Sequence, residues 1–92
     1  MFAIAFDLIL HETRRQHSKG VSQAYAEIGA VLNRYGFDRV QGSVYVSQSS
    51  SLVNVTLAVN ALKALAWFPA CVRDIRAFKV EHWSDFTDFI KS

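Results

Sequence analysis

The sequence predicts an α+β fold in which a four-stranded antiparallel sheet carries two helices on one face. Its first residues alternate in size with the two-residue period of a β-strand. Two later segments repeat apolar residues at the three- and four-residue spacing of an amphipathic helix, and short apolar runs of strand length follow each of them. A chain of 92 residues suffices for one domain, residues 1–92, and excludes a second.

The first strand is predicted over Met1–Ile9. Bulky and small side chains alternate there, with Phe2, Ile4, Phe6 and Leu8 on one face and Ala3, Ala5 and Asp7 on the other. We expect the bulky face to meet the helices and the flat face to allow close approach of another backbone. The polar segment that follows, His11–Lys19, is predicted to be a loop.

The first helix is predicted over Val21–Tyr35, where apolar residues recur at spacings of four, three, four and three. Ser18 or Ser22 is the expected N-cap. Gly36 suits the left-handed conformation that ends many helices, so we expect the helix to end there.

Two short strands are predicted next, Phe37–Gln41 and Ser43–Ser47, joined tightly at Gly42. They should pair with each other as an antiparallel hairpin. After a polar turn, Ser50 or Ser51 is expected to cap the second helix.

The second helix is expected to stop near Pro69, because proline disfavours helical geometry in the residue before it. Val72–Glu81 is predicted to be the fourth strand, with a bulge near Ala77 where its alternation slips. A short C-terminal helix capped by Ser84 ends the chain. We call its apolar residues the C-terminal patch: Phe86, Phe89 and Ile90.

This order of elements is the ferredoxin-like split βαβ arrangement, β-α-β-β-α-β, with a short C-terminal helix added. One face of such a sheet stays bare in a single chain, and the residues expected on it include Ala3, Ala5 and Tyr45. Pairing of two copies through that face is the simplest way to cover it, so a homodimer is expected. The C-terminal patch offers a route to a higher oligomer.

Composition places few limits on function. The net charge of +2 is too small to indicate a nucleic-acid-binding protein by itself. Cys71 is the only cysteine, so no intramolecular disulfide forms and a reducing compartment is expected. No segment has the features of a signal peptide or a membrane span, which favours a cytoplasmic location.

Asp7 is the residue that most strongly suggests chemistry. A carboxylate in an apolar strand loses hydration on folding unless it is paired, bound to metal or left at the strand end. Two interpretations stay open: Asp7 is structural and caps the following turn or pairs with Arg73 or Arg76, or it is a catalytic carboxylate or metal ligand. If two bare faces pair about a twofold axis, two Asp7 side chains come close and titrate as a unit.

Three histidines, His11, His17 and His82, lie too far apart in the sequence to suggest a metal site. We expect them to be solvated surface residues, and the alternative for His11 or His17 is a role as general acid.

Basic and aromatic residues are candidates for contact with a nucleic acid. Arginine suits phosphate because its planar fork donates two hydrogen bonds. Tyr45, Tyr35 and Trp83 have rings that can stack on unpaired bases, although Tyr35 also fits the apolar stripe of the first helix. The basic candidates are Arg14, Arg15 and Lys19 in the first loop, Arg73, Arg76 and Lys79 on the last strand, and Arg39.

Four segments together resemble the virulence-associated protein D family. They are MFAIAFDL at Met1–Leu8, KGVSQAY at Lys19–Tyr25, YGFDRVQGS at Tyr35–Ser43 and VRDIRAFKVEHWSDF at Val72–Phe86. This similarity runs from end to end, and a second, over less of the chain, is to the small CRISPR-associated ferredoxin-like nucleases. The chain departs from the family pattern at Ser49–Ser51, where family members tend to carry an acidic residue, and at Val53–Leu57.

The resemblance implies a ferredoxin-like homodimer that cleaves single-stranded RNA endonucleolytically, in some members as the toxin of a toxin–antitoxin pair. It matches Asp7 to the family's key carboxylate. An antitoxin protein is then a further expected partner. The candidate RNA-binding residues are Arg39, Ser43, Tyr45, Arg73, Arg76, Arg14, Arg15 and Lys19.

Two mechanisms stay open at this point. In the favoured one, Asp7 is the general base on the ribose 2′-hydroxyl and arginines stabilise charge on the phosphorane, which requires no cofactor. In the other, paired Asp7 side chains hold Mg²⁺ and activate water. A different class of function is a non-catalytic homodimeric interaction or architectural module in which Asp7 is structural.

Overall fold

Nine elements make up the chain in a computed structural model that describes residues 1–92. They are β1 (Phe2–Leu8), α1 (Leu10–Gln16), α2 (Val21–Arg34), β2 (Phe37–Gln41), β3 (Val44–Ser47), α3 (Leu52–Lys63), α4 (Phe68–Cys71), β4 (Val72–Lys79) and α5 (Thr87–Lys91). The four strands form one sheet in the order β2-β3-β1-β4, and all neighbouring strands are antiparallel. The predicted α+β, ferredoxin-like fold with a short C-terminal helix is confirmed.

The core lies between one face of the sheet and the helices α2 and α3. Ile4, Phe6 and Leu8 of β1 are buried there. They belong to one apolar cluster with residues of α2 and α3, among them Ile28, Leu32, Val55 and Leu62. The prediction that the bulky face of β1 meets the helices is therefore confirmed.

The prediction of a polar loop over His11–Lys19 is wrong for His11–Gln16, which belong to α1. The buried face of this helix carries polar residues. Thr13 is fully buried, and both its backbone N–H and its hydroxyl donate to the Ile9 carbonyl at 2.9 Å. His17 follows one turn later and is also buried. Because both buried side chains are polar, no apolar stripe marks this helix in the sequence.

The predicted N-cap of α2 is wrong, whereas its predicted end at Gly36 is confirmed. Neither Ser18 nor Ser22 caps the helix, whose N-cap is Gly20 with φ +91° and no side-chain hydrogen bond. Gly36 adopts φ +85°, the left-handed conformation predicted for it. At the start of α3, Ser51 occupies the predicted N-cap position, although its side chain makes no cap hydrogen bond.

Pro69 begins a helix rather than ending one. The helix α3 ends at Lys63, earlier than the predicted stop, and Pro69 lies in the first turn of α4. A proline is tolerated in that turn because the first helical N–H groups have no partner inside the helix.

The expected bulge near Ala77 is wrong, since the pairing of β1 with β4 is regular there. The irregularity lies where Asp7 and Leu8 of β1 face the beginning of β4. β4 is an edge strand whose Ala77 and Phe78 are both exposed. Burial therefore does not impose an alternating pattern on that part of the strand.

Tyr45 lies on the helix side of the sheet, so its predicted place on the bare face is wrong. It pairs with Ile4, is only 6% exposed and belongs to the core cluster. The opposite face carries Ala3 and Ala5, as predicted, together with the β3 partners of these residues, Val46 and Val44.

That opposite face is less bare than expected, because Ala3 and Val46 are buried within the single chain. The segment after β4 starts at one edge of the sheet and reaches the other, where Trp83 and Ile90 line a cleft with Val40 and Gln41 of β2. The helices occupy the core side of the sheet, so the segment crosses the opposite side.

The C-terminal helix begins at Thr87 with Phe86 at its N-cap, so the predicted cap Ser84 is wrong. Asp85 Oδ1 accepts a hydrogen bond from the Thr87 N–H at 2.8 Å. The C-terminal patch exists as predicted, and each of its three side chains is at least 65% exposed. None of the helices has the length and apolar character needed to cross a membrane.

Gly36 provides a test of this backbone assignment. A β-carbon at Gly36 would find open space, its nearest neighbour being Ser47 Oγ at 3.9 Å, so alanine would suffer only the strain of the left-handed conformation. Gly36→Ala should lower the free energy of unfolding by about 1 kcal/mol in urea denaturation followed by circular dichroism. Gly36→Asn, whose side chain tolerates this conformation, should lose less. Equal stability of wild type and Gly36→Ala would contradict the assignment.

Candidate active site

Asp7 lies on the exposed face of β1, one residue before the strand ends. Its side chain is 67% exposed and points away from the helices, since its neighbours Phe6 and Leu8 point into the core. Its direct partner on β4 is Asp74. Residues opposed in this way have β-carbons about 4.5–5.5 Å apart, so two carboxylates stand side by side on one sheet face.

Two arginines accompany the two carboxylates. Arg73 Nε lies 3.6 Å from Asp7 Oδ2, and Arg76 Nε lies 3.2 and 3.0 Å from the two carboxylate oxygens of Asp74. Every one of these four side chains is more than half exposed. We call Asp7, Asp74, Arg73 and Arg76 the acid–arginine cluster.

The bulge in β4 accounts for the position of Arg73. Asp7 pairs with Asp74 and Leu8 pairs with Val72, so Arg73 has no residue opposite it. A bulge redirects the side chain of its extra residue. Here the redirected guanidinium reaches the carboxylate of Asp7.

The cluster combines groups that act on phosphodiesters. A carboxylate can accept a proton, and a guanidinium donates hydrogen bonds to phosphate oxygens. Mg²⁺ is commonly held by one or two carboxylates together with water and substrate phosphates, and Asp7 with Asp74 offers such a pair. The chain contains no group of three or more His, Cys, Asp and Glu side chains arranged to hold a metal ion.

Comparison with known proteins places the chain in a family, although no family model matches it. A protein of Neisseria gonorrhoeae named Endoribonuclease VapD homolog is 55% identical over 92 residues, covering all of both chains. Endoribonuclease VapD of Haemophilus influenzae is also 55% identical over 92 residues, again covering all of both chains. Endoribonuclease VapD of Helicobacter pylori is 44% identical over 94 residues, with full coverage of both. The chain belongs to the VapD family. The resemblance seen in the sequence is thereby confirmed.

The structure of this VapD family member divides the remaining candidate residues between two other places. Arg39, Ser43 and Tyr45 line a groove between α2 and the β2–β3 hairpin. Arg14 and Arg15 lie on α1, and Lys19 lies in the turn that follows it. Only Arg73 and Arg76 accompany Asp7, and the RNA contacts of all eight residues stay predictions.

Asp74 is the member of the acid–arginine cluster that sequence reasoning left out of the site. Pairing Phe2 with Lys79 and counting along both strands would have placed Asp74 opposite Asp7. The sequence did not reveal that starting pair.

His17 is buried, so its predicted place on a solvated surface is wrong. The residue is 7% exposed, its Nε2 is hydrogen-bonded to a carboxylate oxygen of Glu27, and its Nδ1 accepts the Lys19 N–H at 3.1 Å. The other oxygen of Glu27 accepts the Trp67 indole N–H at 3.3 Å. Since Nδ1 is an acceptor, the ring carries its proton on Nε2 and donates it to Glu27.

This network ties α1, α2 and the segment before α4 together, and it changes the acidity of Glu27. The hydrogen bond from His17 is the largest cause that lowers the pKa of Glu27 below its ordinary value of 4.5, and the hydrogen bond from Trp67 acts in the same direction. Partial burial of the carboxyl opposes this shift. The charged form of Glu27 is therefore favoured in the folded protein.

The lowered pKa of Glu27 makes stability depend on pH. The contribution of the carboxylate is fully present above pH 4.5 and is lost as the pH falls through the lower folded-state pKa. Glu27→Gln should therefore lower the melting temperature at neutral pH and flatten its decline in acid. Glu12→Gln on α1 is the control, which should keep the steep acid decline. A parallel decline in wild type and Glu27→Gln would contradict this role.

Proposed function

We propose that this chain is an endoribonuclease that cleaves single-stranded RNA, with Asp7 as the carboxylate that acts on the scissile site. The acid–arginine cluster carries this proposal, because it sets a solvent-accessible base beside two phosphate-binding side chains. The names of the relatives, all endoribonucleases, support the same reaction. The chain acts in the cytoplasm, where RNA is abundant and the free, buried Cys71 stays reduced.

The positions of the four side chains support one course for the reaction. Asp7 takes the proton of a ribose 2′-hydroxyl, and the freed oxygen attacks the neighbouring phosphorus. The bond from phosphorus to the 5′ oxygen of the next nucleotide breaks, and the departing oxygen takes a proton from water, which leaves a 2′,3′-cyclic phosphate and a 5′-hydroxyl. Arg73 and Arg76 donate hydrogen bonds to the phosphate oxygens as charge builds on them.

Because the ion pairs are exposed, RNA phosphate replaces Asp7 as the partner of Arg73 at a small cost in free energy. Exposed pairs contribute at most about 1 kcal/mol each, so RNA phosphate readily displaces Asp7 from Arg73. That displacement frees the Asp7 carboxylate to accept a proton. Both carboxylate oxygens of Asp74 accept hydrogen bonds from Arg76 Nε, which holds the Arg76 guanidinium beside Asp74 in the cluster.

Asp7→Asn tests the assignment of the base. The substitution keeps size and hydrogen bonding but removes the charge, so cleavage of single-stranded RNA should fall by roughly 100-fold or more. Stability should change by less than about 1 kcal/mol, because the Asp7 side chain is 67% exposed and its loss relieves repulsion from Asp74.

Asp38→Asn is the matched control, since Asp38 is an exposed carboxylate on β2, at a distance from the acid–arginine cluster. Its cleavage rate should equal that of the wild type. Full cleavage by Asp7→Asn would remove Asp7 from the mechanism. Wild-type protein that binds RNA or a protein partner without cutting RNA would support the non-catalytic module instead.

The products distinguish the two mechanisms. Attack on phosphorus by the 2′-hydroxyl leaves a cyclic phosphate. Attack on phosphorus by an activated water, with the 3′ oxygen as the leaving group, leaves a 5′-phosphate. We expect cyclic phosphate ends by mass spectrometry and unchanged cleavage in EDTA. A 5′-phosphate together with loss of cleavage in EDTA would assign Mg²⁺ to the Asp7 and Asp74 pair.

Arg73 and Arg76 should set the salt dependence of RNA binding. Replacing both with glutamine should weaken the binding of uncleavable RNA and reduce its logarithmic salt slope by roughly 0.7 for each phosphate that is no longer neutralised. Arg34→Gln, at the exposed end of α2, should leave the slope unchanged. An unchanged slope in the double variant would assign the RNA track to Arg14, Arg15 and Lys19.

The proposal extends to assembly and biological role. Ala5 and the half-exposed Phe78 lie on the face of the sheet opposite the helices, on the part that the C-terminal segment leaves accessible, which supports a homodimer through that face. Light scattering at micromolar concentration should then give twice the mass of the 10.4 kDa chain. The resemblance to a family with toxin members supports a toxin role held in check by an antitoxin. Induced wild type should arrest growth and induced Asp7→Asn should not.

A further inference from the structure

A second polar site lies outside the acid–arginine cluster, in the groove between α2 and the β2–β3 hairpin. The groove has a volume of about 680 Å³, which lies within the range of small-ligand sites, about 300–1,000 Å³. One face of α2 forms one wall with short side chains, and the hairpin forms the other. The short α2 residues are Ser22, Ala26, Gly29 and Ala30, followed by Asn33.

The hydroxyl of Tyr45 points into this groove and has no partner in the protein. Tyr45 is 94% buried, since only 6% of it is exposed, and its hydroxyl makes no hydrogen bond within the chain. The hydroxyl lies against Gly29, where an added β-carbon would be 2.9 Å away. No buried side-chain oxygen or nitrogen of the chain lacks a hydrogen-bond partner, so the unpartnered Tyr45 hydroxyl is open to solvent through the groove and is available to a ligand.

Arg39 stands at the mouth of the same groove in a fixed position. Its Nε donates to the Gly42 carbonyl at 2.9 Å, which holds the side chain along the hairpin. Its two terminal nitrogens have no partner and face solvent, and they suit a phosphate. The Asn33 amide, with a donor and an acceptor, lies on the opposite wall.

The groove and the acid–arginine cluster lie on opposite faces of the sheet, at the same end of β1. The Phe6 N–H donates to the Ser43 carbonyl at 3.1 Å, and Ser43 lines the groove. Asp7 is the next residue of β1 and points to the other face. An RNA strand passing around this end of the sheet would reach both sites.

We propose that the groove binds one unstacked base of single-stranded RNA, with the adjoining phosphate on Arg39. The Tyr45 hydroxyl and the Asn33 amide would bond the edge of the base, and the Tyr25 ring forms an aromatic wall beside it. This anchoring site rests on the proposed function, because it takes the same RNA strand that Asp7 cuts. The bound base lies on the same strand as the cleavage site and contributes to the choice of sequence.

Tyr45→Phe is the sharpest test, because it removes only the unpartnered hydroxyl. It is made in the Asp7→Asn chain so that RNA stays intact, and binding of a 2′-O-methyl RNA of mixed sequence is measured by fluorescence anisotropy. Affinity should fall roughly 3- to 10-fold, as expected for loss of one hydrogen bond, while the melting temperature stays equal or rises. Tyr35→Phe, a half-buried tyrosine outside the groove, should change neither quantity.

Ala26→Leu supplies an independent variant. Ala26 is an exposed position of α2, so leucine there fills the groove without disturbing the core. Its RNA affinity should also fall. In nuclear magnetic resonance titrations with AMP, CMP, GMP and UMP, the amides of Gly29 and Gly42 should shift, and Ala26→Leu should abolish those shifts.

Three outcomes would overturn the anchoring site. The first is unchanged RNA affinity in both Tyr45→Phe and Ala26→Leu, and the second is a lower melting temperature of Tyr45→Phe, which would give the hydroxyl a structural partner. The third is amide shifts in the groove with a protein partner but with no nucleotide. Absence of cleavage by wild type, with groove-dependent RNA binding retained, would contradict only the proposed catalysis. Cleavage whose rate and cut positions are unaltered by both groove variants would contradict only the anchoring site.

Discussion

The alternation of side chains along β1 determines the positions of both the core and the acid–arginine cluster. β1 pairs with β3 on one side and with β4 on the other, so its two faces organise the whole sheet. Ile4, Phe6 and Leu8 place α2 and α3 on one face. The same alternation places Asp7 on the other face, where β4 supplies Asp74 and Arg73. A shift of β1 by one residue would bury the carboxylate and expose the core.

The sequence predicts the elements that bury an apolar face. It does not predict those whose buried positions form no apolar pattern. β1 and α2 were predicted because their buried faces are almost wholly apolar. α1 was missed because the buried residues at this helix and its C-cap are the polar Thr13 and His17, which bond to the Ile9 carbonyl and to Glu27 and form no apolar stripe. Tyr45 was assigned to the wrong face because its side depends on the pairing of β3 with β1, which sets Tyr45 opposite the buried Ile4 and has no local signal.

The candidate site shows the same division. Asp7 was predicted because a charge within an apolar strand is conspicuous. Asp74 and Arg73 depend on the register of β1 against β4 and on a bulge, which are tertiary properties with no local signal. The Tyr45 groove likewise depends on how closely α2 approaches the hairpin, and Gly29 permits that approach only once the two elements are packed. Exposure then makes the acid–arginine pairs weak and leaves their arginines available to phosphate.

We propose that Asp7 and Asp74 act as parts of one cluster on paired strands. Single-turnover cleavage of RNA by Asp7→Asn, Asp74→Asn and the double variant measures this directly. Groups that act as a unit give non-additive losses, so the double variant should lose no more activity than Asp7→Asn alone. If the two single losses multiply in the double variant, the two carboxylates act independently, which would contradict their action as one cluster.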